Sequence, residues 1–299
     1  MARPKREQAR LPEMLAEVAM ASGVGYLAAA YTASRWLTRP SPGKPSHTPG
    51  DLGLVWEPLL CRTADHQRLV GWVVTPSQPK GTVALFHGVR NNRAQTLKRL
   101  RLLVAAGYRC VSFDHRAHGE SSGRRTSFGY YEGRDVAAIV DLIRERWADE
   151  PRAALGISMG AAAVCYSAEH CRGFDAVILE SLYHDIDRAL SSRIQGYPPW
   201  FQRLRNGAIW VTERRLKLRM NQLAPVEYMK KFAPTPVLLV TGSNDSHAPP
   251  ADLQRLYERC RGRKELWVVP DATHHDVFEK GGPAYHDLVV GFLDRHLSR

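Results

Sequence analysis

These 299 residues contain no C-x-x-C pair and no cysteine–histidine spacing suited to a metal. Cys61, Cys110, Cys165, Cys171 and Cys260 stand singly. That excludes zinc ribbons and fingers, and the odd number excludes a complete disulfide framework without fixing the compartment. Internal repeats, low-complexity tracts, aromatic–basic RNA-binding motifs and a helix-turn-helix pattern are also absent, so solenoids are excluded and no nucleic-acid partner is expected. Acidic side chains are in short supply, 30 against 42 basic, for a net charge of +12. The deficit is local: residues 89–112 hold six basic residues and no acid, and residues 182–232 hold ten basic and four acidic. Such a balance marks a solvated basic surface, or one that favours anionic substrates or an acidic lipid surface.

Long hydrophobic runs are scarce too. Val18 to Ser34 is a run of 17 uncharged residues, rich in Ala and Gly, with Arg and Lys on both sides. As a helix it spans about 25 Å, short of the roughly 30 Å hydrocarbon core. Residues 1–37 are expected to form an N-terminal helix that associates with a membrane. The alternatives are a signal peptide ending near Ala28-Ala29-Ala30, hence secretion, and a helix packed on a cytoplasmic domain. Gly23-x-Gly25-x-x-Ala28 imitates a dinucleotide fingerprint, but no strand precedes it. Residues 38–53, rich in Pro, Gly and Ser, read as an extended linker.

What is present from residue 54 onward is alternation. Short apolar runs at 68–75, 82–86, 110–113, 152–156, 175–180, 236–241 and 265–269 predict strands buried on both faces, and 55–62 is placed to pair with 68–75 as a hairpin. Helical patterns fall between them, clearest in 134–147, where Val136, Ile139, Val140, Ile143 and Trp147 share one face. The fold class is α/β: a mostly parallel sheet flanked by helices, with sites at the carboxyl ends of the strands. Residues 182–232 break the alternation without a clear strand and predict a helical cap insertion.

Gly156-Ile-Ser158-Met-Gly160 lies between a strand-like run and a helix-favouring run. Small residues on either side of a serine permit the sharp turn that exposes its hydroxyl as a nucleophile. A serine nucleophile needs a base, an acid to orient it, and donors for the oxyanion. Asp245 and His274 each follow a predicted strand and are the candidates for acid and base. The backbone N–H groups of Val89, after His87-Gly88, and of Met159 are the candidate oxyanion donors. His275 rivals His274, His247 reads as a loop residue, and His118 and Arg116 read as loop braces.

From about residue 55 to the end the chain resembles the α/β-hydrolase superfamily. The resemblance rests on His87-Gly88, Asp114-His-Arg116-Ala-His-Gly119-Glu-Ser121, Gly156-Ile-Ser158-Met-Gly160 and Asp271-Ala-Thr-His274, in that order. The N-terminal arrangement is similar to that of bacterial members with an anchor-like helix. Two departures stand out: Ala117 replaces a usual glycine, and Asp271 and Thr273 stand where glycine is more frequent. The resemblance implies a Ser158–His274–Asp245 triad, register with the motif selecting His274 over His275, in a carboxylic-ester hydrolase without cofactor or metal. A small acyl compound is the expected substrate, and the basic segments favour an anionic one. An amidase or peptidase, an acyltransferase, and a silent interaction domain are the alternatives. With no aspartate in the elbow, dehalogenase and epoxide-hydrolase chemistry are disfavoured.

Overall fold

Ten strands and eight α-helices alternate along the chain in a computed structural model that describes residues 22–168, 173–191 and 199–297. The described residues divide into two compact units: 22–38 with 199–220, and the remainder.

The larger unit is built on an eight-stranded sheet. Its strands are β2 (Glu57–Arg62), β3 (Arg68–Val74), β4 (Thr82–Phe86), β5 (Arg109–Phe113), β7 (Arg152–Ile157), β8 (Ala176–Glu180), β9 (Val237–Gly242) and β10 (Lys264–Val269), in the order β10-β9-β8-β7-β4-β5-β3-β2. β3 pairs antiparallel with β2 and β5, and every other pairing is parallel. The expected hairpin, the strands and the α/β class are thus all present. The central strands are buried on both faces, as their near-continuous apolar runs require. Alternation along them splits the core. Val83, Leu85, Leu155, Ile157 and Ile178 point towards α2 (Leu97–Ala105) and α8 (Val277–Leu297), joining Leu100, Tyr285, Val289 and Phe292 in one cluster. The helices α3 (Glu132–Arg146) and α4 (Met159–Ser167) pack on each other.

The Pro-rich segment differs from the extended linker expected of it. β1 (Ser41–Pro42) pairs in parallel with β6 (His118–Gly119), and the N–H groups of Ser41 and Gly43 donate to Ala117 and Gly119. A 3₁₀ turn at Pro49–Leu52 follows, closed by reciprocal bonds between Thr48 and Asp51.

The expected cap at 182–232 is also divided. Leu182, Ile186, Leu223, Val226 and Met229 are buried in the sheet unit, joined by Ile186 N–H to Leu223 and Val226 N–H to His184. α5 (Ile186–Ser191) and α7 (Pro250–Arg259) belong to this unit as well. Only 199–220 of the described cap residues group with the N-terminal helix.

That second unit consists of α1 (22–37) and α6 (Pro199–Leu216). Small residues make the seam: Ala30 and Ser34 of α1 lie against Gly207, Ala208 and Thr212 of α6, and a methyl at Gly207 would strike Tyr26. Tyr26 Oη donates to the Arg203 carbonyl at 2.7 Å, and Arg215 reaches Ser34 at 2.8 Å and Thr38 at 3.1 Å. Among the described residues no helix is long and apolar enough to cross a membrane. Residues 1–21, including the first part of the uncharged run, lie outside those described.

Candidate active site

β7 delivers Ser158 into a turn with φ 53° and ψ −111°, which L-residues avoid. Both glycines are needed there. A methyl on Gly156 would lie 2.6 Å from the Ala161 nitrogen, and one on Gly160 would overlap the Phe86 carbonyl. Hydrogen bonds hold the turn from both sides: Ser158 N–H donates to the Glu180 carbonyl at 2.8 Å, and Ala162 N–H donates to the Ser158 carbonyl at 3.0 Å.

The Ser158 Oγ is 3.0 Å from His274 Nε2, and His274 Nδ1 is 2.8 and 3.0 Å from the two oxygens of Asp245. An ionised carboxylate only accepts, so Nδ1 carries the ring proton and Nε2 is left to accept from the serine hydroxyl. Asp245 is buried. Burial raises its carboxyl, but the His274 hydrogen bond and charge, with the N–H groups of Ala248 and His247, outweigh it and hold it below the ordinary value. Those N–H groups reach Oδ1 at 2.8 and 2.9 Å. Two loops must approach closely for this, and Gly242 makes room: a methyl there would overlap the Ala272 carbonyl. His275 is exposed and takes no part in the relay.

The loop after β4 lies against the elbow, since a methyl on Gly88 would sit 3.6 Å from Ser158 Cβ. Gly88 N–H donates to Gln95 Oε1 at 2.7 Å. The N–H groups of Val89 and Met159 have no acceptor among the described residues. His87 braces this loop with its side chain. Burial, then the neighbouring His115 and His118, drive its pKa well below the ordinary value, so the ring is neutral. Its Nε2 accepts from His115 N–H at 3.0 Å and its Nδ1 lies 2.8 Å from the Gly88 carbonyl. Arg116, read as a loop brace, pairs with Asp135 and Asp65, and Asp114 of the same motif pairs with Arg93.

The structure therefore brings Ser158, His274 and Asp245 into one chain of contacts, with the Val89 and Met159 peptides beside it. Sequence reasoning missed Gln95 and the Glu180 carbonyl, which hold the loop after β4 and the elbow, and no motif marks either. It also missed the Arg99–Glu180 ion pair beneath the elbow, with Arg99 Nε 2.9 Å from Glu180 Oε2. Among the described residues, the group whose donor atoms cluster closely enough for a metal is Asp245, His247 and His274. Two of those three are already engaged, His274 with Ser158 and Asp245 with His274.

Residues 77–225 match a protein-family model described as serine aminopeptidase, S33, and residues 207–295 one described as PhoPQ-activated pathogenicity-related protein. The uncharacterized protein YqkD of Bacillus subtilis is 30% identical over 240 residues, 75% of this chain and 74% of that one. The alpha/beta hydrolase domain-containing protein WAV2 of Arabidopsis thaliana is 24% identical over 261 residues, 83% of this chain and 82% of its own. The esterase Pf2001 of Pyrococcus furiosus has the same fold, with a TM-score of 0.74 at 22% identity over 87% of this chain and 99% of its own. The chain belongs to the α/β-hydrolase superfamily. In this α/β-hydrolase the elbow follows β7, the Asp245 loop follows β9 and the His274 loop follows β10, all at carboxyl ends of parallel strands. The family's usual glycines are replaced at two strained points. Ala117 has φ 61° and Asp271 φ 57°, where glycine carries no penalty.

Proposed function

We propose that this α/β-hydrolase is a serine hydrolase of carboxylic esters that works through an acyl-enzyme. The observation that carries the reading is the continuous contact from Asp245 through His274 to the strained Ser158. His274 Nε2 takes the hydroxyl proton as Ser158 Oγ bonds to the substrate carbonyl carbon. Asp245 stabilises the imidazolium, and the N–H groups of Val89 and Met159 stabilise the tetrahedral oxyanion. Collapse breaks the bond to the leaving alkoxide, which receives the proton from Nε2. Water, deprotonated by His274, then releases the acid and restores Ser158.

Labelling with a fluorophosphonate probe tests this directly. The folded wild type is expected to be labelled and Ser158→Ala to be blank; an unreactive folded wild type overturns the proposal. The serine aminopeptidase description of the 77–225 match favours a second reading, amide or peptide substrates on the same nucleophile. Paired kinetics on p-nitrophenyl esters and aminoacyl anilides separate the two. A larger kcat/KM for anilides overturns the ester assignment and leaves Ser158 in place.

A further inference from the structure

Among the described residues, nine large apolar side chains are exposed, and seven of them lie in the α1–α6 unit. Their placement is ordered. On α1, Val24, Leu27, Tyr31 and Arg35 follow one another at steps of three and four and are all exposed. On α6, Arg203, Asn206, Trp210 and Arg214 do the same, and the exposed Lys217 follows. The seam contacts pair Tyr26 with Arg203, Ser34 with Thr212 and Thr38 with Arg215, so the two helices run parallel. With about 100° per residue, both stripes then emerge on the same side of the seam. Arg214 stacks on Trp210 at 3.6 Å and Arg215 lies 5.3 Å from the Tyr31 ring. The described part of the unit holds seven basic residues against Glu213 alone.

We propose that this face lies in the plane of an anionic lipid bilayer surface, with Tyr31 and Trp210 at headgroup depth and Arg35, Arg203, Arg214 and Lys217 against lipid phosphates. Aromatic rings with an apolar body and a polar edge collect at that depth, and amphipathic helices with Arg and Lys bind there without crossing. Among the described residues neither helix is long and apolar enough to span. The excess of positive charge supplies the complementarity, each basic residue near an anionic surface adding roughly fivefold to partitioning.

Co-sedimentation of the full chain with vesicles tests the assignment without any substrate, so it is independent of the ester reading. Binding is expected to phosphatidylcholine vesicles containing phosphatidylglycerol, to weaken with salt, and to be slight on phosphatidylcholine alone. Tyr31→Ser with Trp210→Ser is expected to lower partitioning by roughly tenfold, and Arg203→Glu with Arg214→Glu by more. Fluorophosphonate labelling of Ser158 and circular dichroism check that the variants are folded. Quenching of tryptophan emission by brominated lipids is expected to be strongest for labels near the headgroups. Failure to pellet with anionic vesicles overturns the proposal. So do equal binding to neutral ones, variants that bind unchanged, quenching centred at mid-bilayer, or stripe-dependent binding of RNA in place of vesicles.

Discussion

Ser158 and His274 are 116 positions apart in sequence, and His274 and Asp245 are 29, yet each pair meets within hydrogen-bonding distance. Asp245→Asn keeps the shape but offers an amide to Nδ1, which favours the tautomer unable to accept the serine proton. Its kcat on an activated ester is expected to fall by about 10⁴-fold. The same substitution reports on acid stability. The folded Asp245 carboxyl lies below its unfolded value of about 3.9. Its contribution is therefore complete above that value and is lost as pH falls through the folded one. Urea midpoints for wild type and Asp245→Asn are expected to differ most near neutral pH and to converge on acidification. Ala117 gives a prediction of opposite sign. Its φ of 61° carries strain that glycine removes, so Ala117→Gly is expected to raise the unfolding free energy by about 1 kcal/mol in urea titrations. The candidate site side chains were legible because each follows a strand, Ser158 and His274 inside a motif and Asp245 without one. Gln95 was not: any loop residue seven positions after Gly88 reads the same until the loop closes on it.

The elements around the elbow depend on a buried charge pair. Arg99 on α2 and Glu180 at the end of β8 are both almost fully buried, and Tyr285 on α8 donates to Glu180 at 2.8 Å. Removing one partner leaves an uncompensated charge, so Arg99→Leu is expected to cost about 3–5 kcal/mol by urea denaturation. Adding Glu180→Gln is expected to restore a large part of the loss. Strands and helices of the sheet unit were legible within a few residues, because two-sided burial leaves unbroken apolar runs such as Ala176 to Leu179. The division of the cap was not legible. Residues 182–193 and 221–232, like 199–220, mix basic and apolar residues without a clear strand, and the docking of Leu182, Ile186 and Val226 is what distinguishes them. The Ser41–Pro42 pairing was hidden for a related reason, since two residues show no period.

Over the whole molecule, formal charge proved a poor guide to free charge. Of the six basic residues in 89–112, Arg93, Lys98, Arg99 and Arg109 pair with acids far away in sequence. A count along the chain sees a cation and not its distant partner. The two-unit organisation makes a further prediction. Ser34→Leu overfills the α1–α6 seam and is expected to destabilise that unit by about 1–3 kcal/mol, read by thermal melts. Fluorophosphonate labelling of Ser158 is expected to persist, because all the site residues belong to the other unit. The backbone at Ser158 has a consequence for how such a chain is inherited. Its φ of 53° and ψ of −111° suit glycine, which would relax the turn by about 1–3 kcal/mol. A library of variants sorted only for folding should therefore drift to glycine at 158. Selection for turnover is what would keep a serine there.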